Sequence, residues 1–226
     1  MNFKKILATL AFSSAVSFSA FADDAAATQN SIIGVLGHVG YTNLQNEDDA
    51  RTTSLNGYNL GVSGLYSIAP VGPGSVVAGL GLNYFNAQGD YDDSSSGTKL
   101  TATSKLATLS AELNAGYKFM ASSKFELLGL ANFGYGFYNS ASVDLKQGGT
   151  TVAAPAGEKY DVKKHMYYGV TLAGLYDLTS SIALGGTVVY NYHTYTTDYS
   201  ATGSPTESTD SKVNEISANF VFQYSL

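Results

Sequence analysis

The sequence predicts an all-β fold, an eight-stranded antiparallel up-and-down barrel, and three observations predict it. Apolar residues recur at every second position through eight segments of about ten residues. The connections between those segments alternate long and short. The closing stretch SANFVFQYSL, residues 217–226, carries an aromatic at every second position through Phe220, Phe222 and Tyr224.

The chain ahead of the pattern reads as a targeting segment. Lys4 and Lys5 precede an apolar run from Ile6 to Phe18, and Ala20-Phe21-Ala22 stands before Asp23, the layout of a cleavable secretory signal over residues 1–22. A flexible segment, 23–30, then leads into a barrel expected over 31–226. Without 22 of its 226 residues the chain has 204, and without two lysines its formal charge moves from −6 to −8. An acidic exported protein lacks the clustered cations that nucleic acid requires, so nucleic acid is excluded as a partner. The sequence has 0 cysteines, which removes disulfides and thiolate metal sites. Beyond the signal, Gly, Ser, Asn and Thr interrupt every apolar stretch before a helix could span a bilayer. With 24 Gly, 17 Tyr and 11 Phe against 4 Pro, composition favours strands and close backbone approach.

The first segment, from about Ile32 to Thr42, sets Ile33, Val35, Val39 and Tyr41 against Gly34, His38, Gly40 and Thr42. The second sets Tyr58, Leu60, Val62, Tyr66 and Ile68 against Gly57, Asn59, Gly61, Ser63 and Ser67, and the third Val76, Ala78, Leu80, Leu82 and Tyr84 against Gly79, Gly81 and Asn83. In the fourth, Ala107, Leu109, Ala111, Leu113, Ala115, Tyr117 and Phe119 alternate strictly with Thr108, Ser110, Glu112, Asn114, Gly116 and Lys118. The fifth opposes Phe125, Leu127, Ala131, Phe133, Tyr135 and Phe137 to Glu126, Asn132, Gly134 and Gly136, with Leu128 and Leu130 blurring its polar face. The sixth opposes Met166, Tyr168, Val170, Leu172, Tyr176 and Leu178 to Tyr167, Gly169, Thr171 and Asp177. The seventh opposes Ile182, Leu184, Val188, Tyr190 and Tyr192 to Gly185, Thr187, Asn191 and His193, and the eighth adds Ile216 and Ala218 to the closing aromatic row.

Long polar connections are expected over 43–54, 86–104, 139–164 and 194–212, and short turns over 69–75, 120–124 and 179–181. The longest connection is expected to extend as a hairpin that turns near Gly148-Gly149. Symmetric closure of the short turns places Tyr66 beside Ala78, Gly64 beside Leu80, Leu113 beside Ala131, Ala111 beside Phe133 and Leu109 beside Tyr135. It also sets Lys118 directly across from Glu126.

Alternation fits either a membrane barrel or a soluble carrier of the lipocalin type with an apolar interior. The polar face is rich in Gly, Ser, Asn and Thr, which fit inside a narrow cylinder, and the other face is free of charge in all eight segments. Aromatics gather near the segment ends as two expected girdles, comprising Tyr41, Tyr66, Tyr84, Tyr117, Phe119, Phe125, Tyr176, Tyr190, Tyr192, Phe222 and Tyr224. The reading is therefore a transmembrane barrel with its apolar face toward lipid. The signal peptide, the eight segments, the loop rhythm and the terminal FVFQYSL resemble the small outer-membrane barrels of Gram-negative bacteria, of OmpA, OmpX and opacity type. That resemblance implies localisation in the bacterial outer membrane, among membrane lipid and lipopolysaccharide. Members usually end on Phe or Trp, whereas this sequence ends Tyr224-Ser225-Leu226, a departure that bears on assembly.

A polar network inside the barrel is expected from Glu112, Lys118, Glu126, Asp177, His38, Asn114, Asn132 and Asn191, plugging the lumen. Some relatives modify lipid A, but His193 is followed by Thr194 and Tyr195 and no serine–histidine–carboxylate spacing stands out, so no enzyme and no catalytic residue is expected. His165 is placed at a strand edge, and no carboxylate stands at ligand spacing from His38, His165 and His193. The clusters Glu47-Asp48-Asp49 and Asp90-Tyr91-Asp92-Asp93 lack the spacing of a calcium loop and read as solvated charge. No metal and no cofactor is expected. The function read from the sequence is a monomeric structural barrel whose surface loops meet a host surface or a phage, in adhesion or masking; a small-solute pore is the alternative.

Overall fold

The computed structural model describes residues 34–46, 54–93, 100–147, 150–152, 159–200 and 205–225. The signal peptide, segment 23–30, the Glu47-Asp48-Asp49 cluster, the turn at Gly148-Gly149 and Leu226 lie outside the described residues. The strands are β1 (Gly34–Asn46), β2 (Ser54–Val71), β3 (Gly74–Asp93), β4 (Leu100–Ser122), β5 (Phe125–Gln147), β6 (Thr150–Val152), β7 (Lys159–Asp177), β8 (Ile182–Ser200) and β9 (Glu207–Ser225).

Eight of these strands form a closed antiparallel ring in chain order, and the three-residue β6 only extends β5 into a hairpin through Leu145–Val152 and Gln147–Thr150. Closure is made by β9 against β1, where Val35 lies opposite Tyr224 and Val39 opposite Phe220. Because β9 is paired on both edges, its alternate aromatics are the outer surface of the cylinder: Phe220 is 56% exposed, while Val221 is buried. Leu113 at mid-strand is likewise 54% exposed. The apolar faces therefore point outward, away from the axis.

Three tight turns close the other end. Gly72-Pro73 joins β2 to β3, with Gly72 at φ 55. Positive φ at the first turn residue followed by proline, whose φ is fixed negative, suits a type II′ hairpin, and only glycine takes that first place without strain. Ser123-Lys124 joins β4 to β5, and residues 178–181 join β7 to β8 with Thr179 Oγ1 accepting from the amides of Ser181 (3.2 Å) and Ile182 (3.0 Å).

The β2–β3 register places Tyr66 opposite Ala78 and Gly64 opposite Leu80, as the symmetric turn requires. The β4–β5 register differs from that expectation by two residues: Leu113 lies opposite Phe133, Ala111 opposite Tyr135 and Ala115 opposite Ala131. The cause is local. Met120 pairs with Glu126 and Ser122 with Phe125, so Ala121 is an extra residue in β4 and the turn moves toward the C-terminus. A shift of two leaves every side chain on its own face, which is why the pattern concealed it. A second bulge at Phe137, between the Ser110–Gly136 and Leu109–Tyr138 pairs, turns two successive aromatics outward, with Phe137 52% and Tyr138 56% exposed.

The strands run well past the segments that the alternation marks. β3 continues to Asp93, β4 begins at Leu100, β8 reaches Ser200 and β9 begins at Glu207, so most of the expected long loops are paired ribbon. β5 and β7 part company after Tyr135–Met166. Beyond that level β3, β4 and β5 continue as one wall and β7, β8 and β9 as another.

Candidate functional site: the barrel lumen

Along each strand the residues between the outward apolar ones face the axis, and inside they sort into three layers. At the short-turn end Leu36, Leu65, Val77, Leu128, Leu130 and Leu175 form a buried apolar layer. At the loop end Leu44, Phe85, Ala87 and Tyr195 form another. Leu128 and Leu130, which only blur the pattern in the sequence, are thus part of an inner seal. Between the two seals lies a polar layer that all eight ring strands supply.

Glu215 of β9 is the centre of that layer. It is fully buried and accepts from four groups: Thr42 Oγ1 (3.1 Å) and Ser217 Oγ (2.5 Å) reach Oε1, and Asn191 Nδ2 (2.8 Å) and His193 Nε2 (2.9 Å) reach Oε2. Four donors satisfy the acceptor capacity of a carboxylate. His193 Nδ1 in turn lies 2.8 Å from His165 Nε2, and the two imidazoles stack with centroids 5.1 Å apart. Tyr195 stacks on His165 at 4.3 Å, and Phe85 meets both imidazoles edge-on at 6.1 and 5.9 Å. On the facing side of the lumen the Tyr167 hydroxyl donates to Glu112 Oε2 at 2.9 Å and lies 3.1 Å from Ser110 Oγ. The Tyr167 ring fills the space over Gly134, where a Cβ would overlap it.

Two expectations about histidine are corrected here. His165 is not at a strand edge but fully buried in the lumen, because Met166 and Tyr168 point outward and their neighbours must point in. The histidines also have a carboxylate partner: β7, β8 and β9 are consecutive in the ring, which brings His165, His193 and Glu215 side by side although they lie far apart in sequence. The parity of Ile216 and Ala218 already puts Glu215 on the inner face, and the same rule finds Tyr167.

The eight network residues read from the sequence fall into two groups. His38, Glu112, Asn114 and Asn191 line a mid-lumen cavity of about 50 Å³, and Asn132 donates to Thr171 Oγ1 at 2.7 Å and to Asn191 at 3.5 Å beside it. Lys118, Glu126 and Asp177 are together at the short-turn mouth, below the apolar seal. Lys118 pairs with Leu128 in the ladder, so Glu126 is one step along the strand and not directly across. The lysine nevertheless reaches it, Nζ to Oε1 at 2.8 Å, with the two side chains 16% and 6% exposed. A vestibule of about 510 Å³ opens at this mouth, with Leu36, Leu65 and Val77 among the residues that line it.

The outer surface carries the aromatics named above. Phe119, Phe125, Tyr176, Phe222 and Tyr224 are exposed near the short turns, with Tyr66 and Tyr117 half-buried among them and the Tyr117 hydroxyl donating to the Val71 carbonyl at 2.5 Å. Tyr41 and Tyr190 are exposed at the level where the loops begin, Tyr58 and Tyr84 approach to 6.3 Å, and Tyr168 and Tyr192 to 5.4 Å. Leu60, Leu80, Leu113, Phe133, Val170 and Val188 are exposed between the two rows. In the outer walls Lys105 and Asp144 pair at 2.5 Å, and the ammonium holds the Asp144 carboxyl below its usual range.

A closed ring with a continuous apolar outer band, aromatic rows at its two margins and a polar interior leaves no open sheet edge around the cylinder and offers lipid an apolar surface. This is the architecture of an integral membrane β-barrel. Among solved structures of similar shape, Neisserial surface protein A is 18% identical with a TM-score of 0.42, over 85% of this chain and 96% of that one. Ail, the attachment invasion locus protein of Yersinia pestis, is 14% identical with a TM-score of 0.37, over 86% of this chain and 99% of that one. The outer membrane protease OmpT from Escherichia coli is 10% identical with a TM-score of 0.43, over 90% and 99%. No protein-family model matches the chain, and no curated protein matches it by sequence. Activity is therefore read from the residues of this chain alone.

Proposed function

We propose that this barrel is a monomeric, non-conducting and non-enzymatic anchor that holds β-ribbons above the outer membrane for contact with a host surface, a phage or another large ligand, while its outer face meets lipid and lipopolysaccharide. The observation that carries this reading is the filled lumen: two apolar layers enclose the hydrogen-bonded layer around Glu215, and the mid-lumen cavity is only about 50 Å³. A hydrated solute finds no continuous path through such packing. The ribbons support the other half of the reading. Of the 23 residues of β4, about 11 are enough to cross hydrocarbon. Of about 12 that remain, residues 120–122 lie at the short-turn end, and about nine others, at about 3.3 Å per residue, make a ribbon of about 30 Å. Binding on such a protein belongs to the part that a rigid cylinder holds up.

An enzyme reading is disfavoured by the placement of the same residues. Ser217 donates toward Glu215 instead of toward an imidazole, and the histidines lie beneath Phe85 and Tyr195, out of a substrate's reach. Recording from purified protein in planar lipid bilayers tests the proposal. No stable conductance is expected, and a reproducible open state would overturn the closed lumen and make the protein a small-solute pore.

A further inference from the structure

The outer band is uneven in relief. Strand pairing sets Tyr66, Ala78, Ala115, Ala131, Val170 and Tyr190 in one outward row across β2, β3, β4, β5, β7 and β8. The next row toward the loops holds Leu80, Leu113 and Phe133, each about half exposed, and the row toward the short turns holds Val76 and Tyr117. Three alanines between larger side chains leave a furrow, a recess of about 740 Å³ with Ala78, Ala115 and Ala131 in its floor, the Leu80 row along one flank and Tyr66 with Ile68 at one end. Asn114 and Asn132 also border it, but both are buried and turn their side chains into the lumen, so the Tyr66 hydroxyl is its one polar side-chain group. The volume is that of a ligand cleft, and an alanine floor has no rotamer freedom to lose when it is covered. The furrow also climbs. Its row starts at Tyr66 in the short-turn aromatic margin and reaches the other margin at Tyr190, so the alanines lead from the short-turn margin toward the middle of the hydrocarbon.

We infer that this furrow is a binding site for one acyl chain of a membrane phospholipid whose headgroup stands at the short-turn margin beside Tyr66. The inference rests on the reading of the outer face as lipid-facing and assigns one chain to one place on it. A lipid chain runs from an interface to the bilayer centre, which is the course of the furrow. There it meets protein below and on both flanks, whereas a chain against the neighbouring rows meets protein on one side, and dispersion attraction grows with the number of contacts. A tyrosine, apolar in body and polar at its tip, suits the entrance at headgroup level. A lipopolysaccharide has its headgroup among the loops, at the far end of the row, where Val170 and not an alanine follows Ala131. A second copy of the chain is disfavoured by symmetry. Copies inserted the same way round are related by a two-fold axis along the barrel axis. Strands tilt by about 35 to 45°, so a row perpendicular to them runs about 45 to 55° from that axis, and the partner's row crosses it at about 90 to 110°. A ridge does not enter a furrow that it crosses, while an acyl chain bends to follow one.

The test is native mass spectrometry of the full folded chain, released from detergent micelles after incubation with an equimolar mixture of dimyristoyl phosphatidylethanolamine and lipopolysaccharide. The expected spectrum shows the protein with a single bound phosphatidylethanolamine. Ala115→Leu and Ala131→Leu fill the furrow and are expected to lose it. Ala111→Leu is expected to keep it, because Ala111 faces outward on the same strand but stands between Leu82 and Tyr135, outside the recess. Each new leucine points away from the packed lumen, folding of each variant is verified by gel mobility with and without boiling, and one folded furrow variant is enough to decide. Folded protein without lipid, retention that Ala115→Leu leaves intact or that Ala111→Leu abolishes as well, or lipopolysaccharide retained in place of the phospholipid would overturn the inference. So would a dimer that Ala115→Leu dissociates, which gives the furrow to a second copy. A parent chain that folds in micelles but fails to insert into phosphatidylethanolamine-containing vesicles would overturn the lipid-facing reading beneath it.

Discussion

Replacing Lys118 by methionine examines the short-turn mouth most directly. Lys118 Nζ is the partner of Glu126 Oε1 at 2.8 Å, and Glu126 Oε2 accepts no bond at all, so the substitution leaves a buried carboxylate with nothing to offset its desolvation. Removing one member of a buried pair costs about 3 to 5 kcal/mol. Because the Lys118 side chain keeps 16% of its exposure, the low end applies, about 3 kcal/mol. With a urea dependence of about 2 kcal/mol per molar, the unfolding midpoint falls by about 1.5 M. The assay is urea unfolding in micelles followed by far-ultraviolet circular dichroism, which suits a chain with 0 tryptophans. The double substitution Lys118→Met with Glu126→Leu should recover most of the loss, because the leucine adjoins Leu36, Leu65 and Leu128 in the apolar layer. A midpoint for the single variant within about 0.5 M of the parent would put the pair among surface ion pairs worth less than about 1 kcal/mol and refute the argument from burial.

Leu113→Arg places a charge on the outer band at mid-strand and should cost about 2 to 4 kcal/mol on refolding into lipid vesicles, whereas Tyr190→Arg at the aromatic margin should cost about 1 kcal/mol or less. Equal costs at the two positions would contradict the assignment of the membrane plane. Gly134→Ala drives a Cβ into the Tyr167 ring and should lower the thermal unfolding midpoint, because that ring cannot move without releasing Glu112. Gly37→Ala, with open space around the new methyl, serves as the control, and a Gly37→Ala effect as large as that of Gly134→Ala would rule out crowding in the lumen as the cause.

The alternation was legible because lipid imposes a hard rule on one face of every strand, and the strictness of Ala107 to Phe119 is that rule at work. Where the rule lapses, so did the legibility. Above the aromatic margin both faces of a ribbon meet water, so ESTDSK at the start of β9 shows no period of two although it is paired with β8 throughout. Inside the short-turn end both faces are apolar, and FELLGL in β5 reads as a run in which the inward Leu128 and Leu130 are indistinguishable from lipid contacts. Register failed for a different reason. Ala121 and Phe137 are single inserted residues whose effect is geometric, and nothing in their side chains announces a bulge. The charged centre of the lumen was within reach, since parity alone assigns His165, Tyr167 and Glu215 inward. What parity does not supply is adjacency between strands, which brings three residues from β7, β8 and β9 into one hydrogen-bonded row.

The position of the interior seal explains how the outer walls are free to diverge. β5 and β7 stop pairing after Tyr135–Met166, and next to that point β5 carries its bulge at Phe137 while β7 carries one between Val162 and Lys164. An opened seam would normally admit water to the lumen. Here the level just above it is where His165 lies over Gly136, stacked on Tyr195 and capped by Phe85 with Leu44 and Ala87 beside it. The loop-end seal therefore stands at the height where the ring first opens. The exposed Lys105–Asp144 and Asp161–Lys163 pairs of the ribbons thus stand clear of the packed layers in the cylinder below.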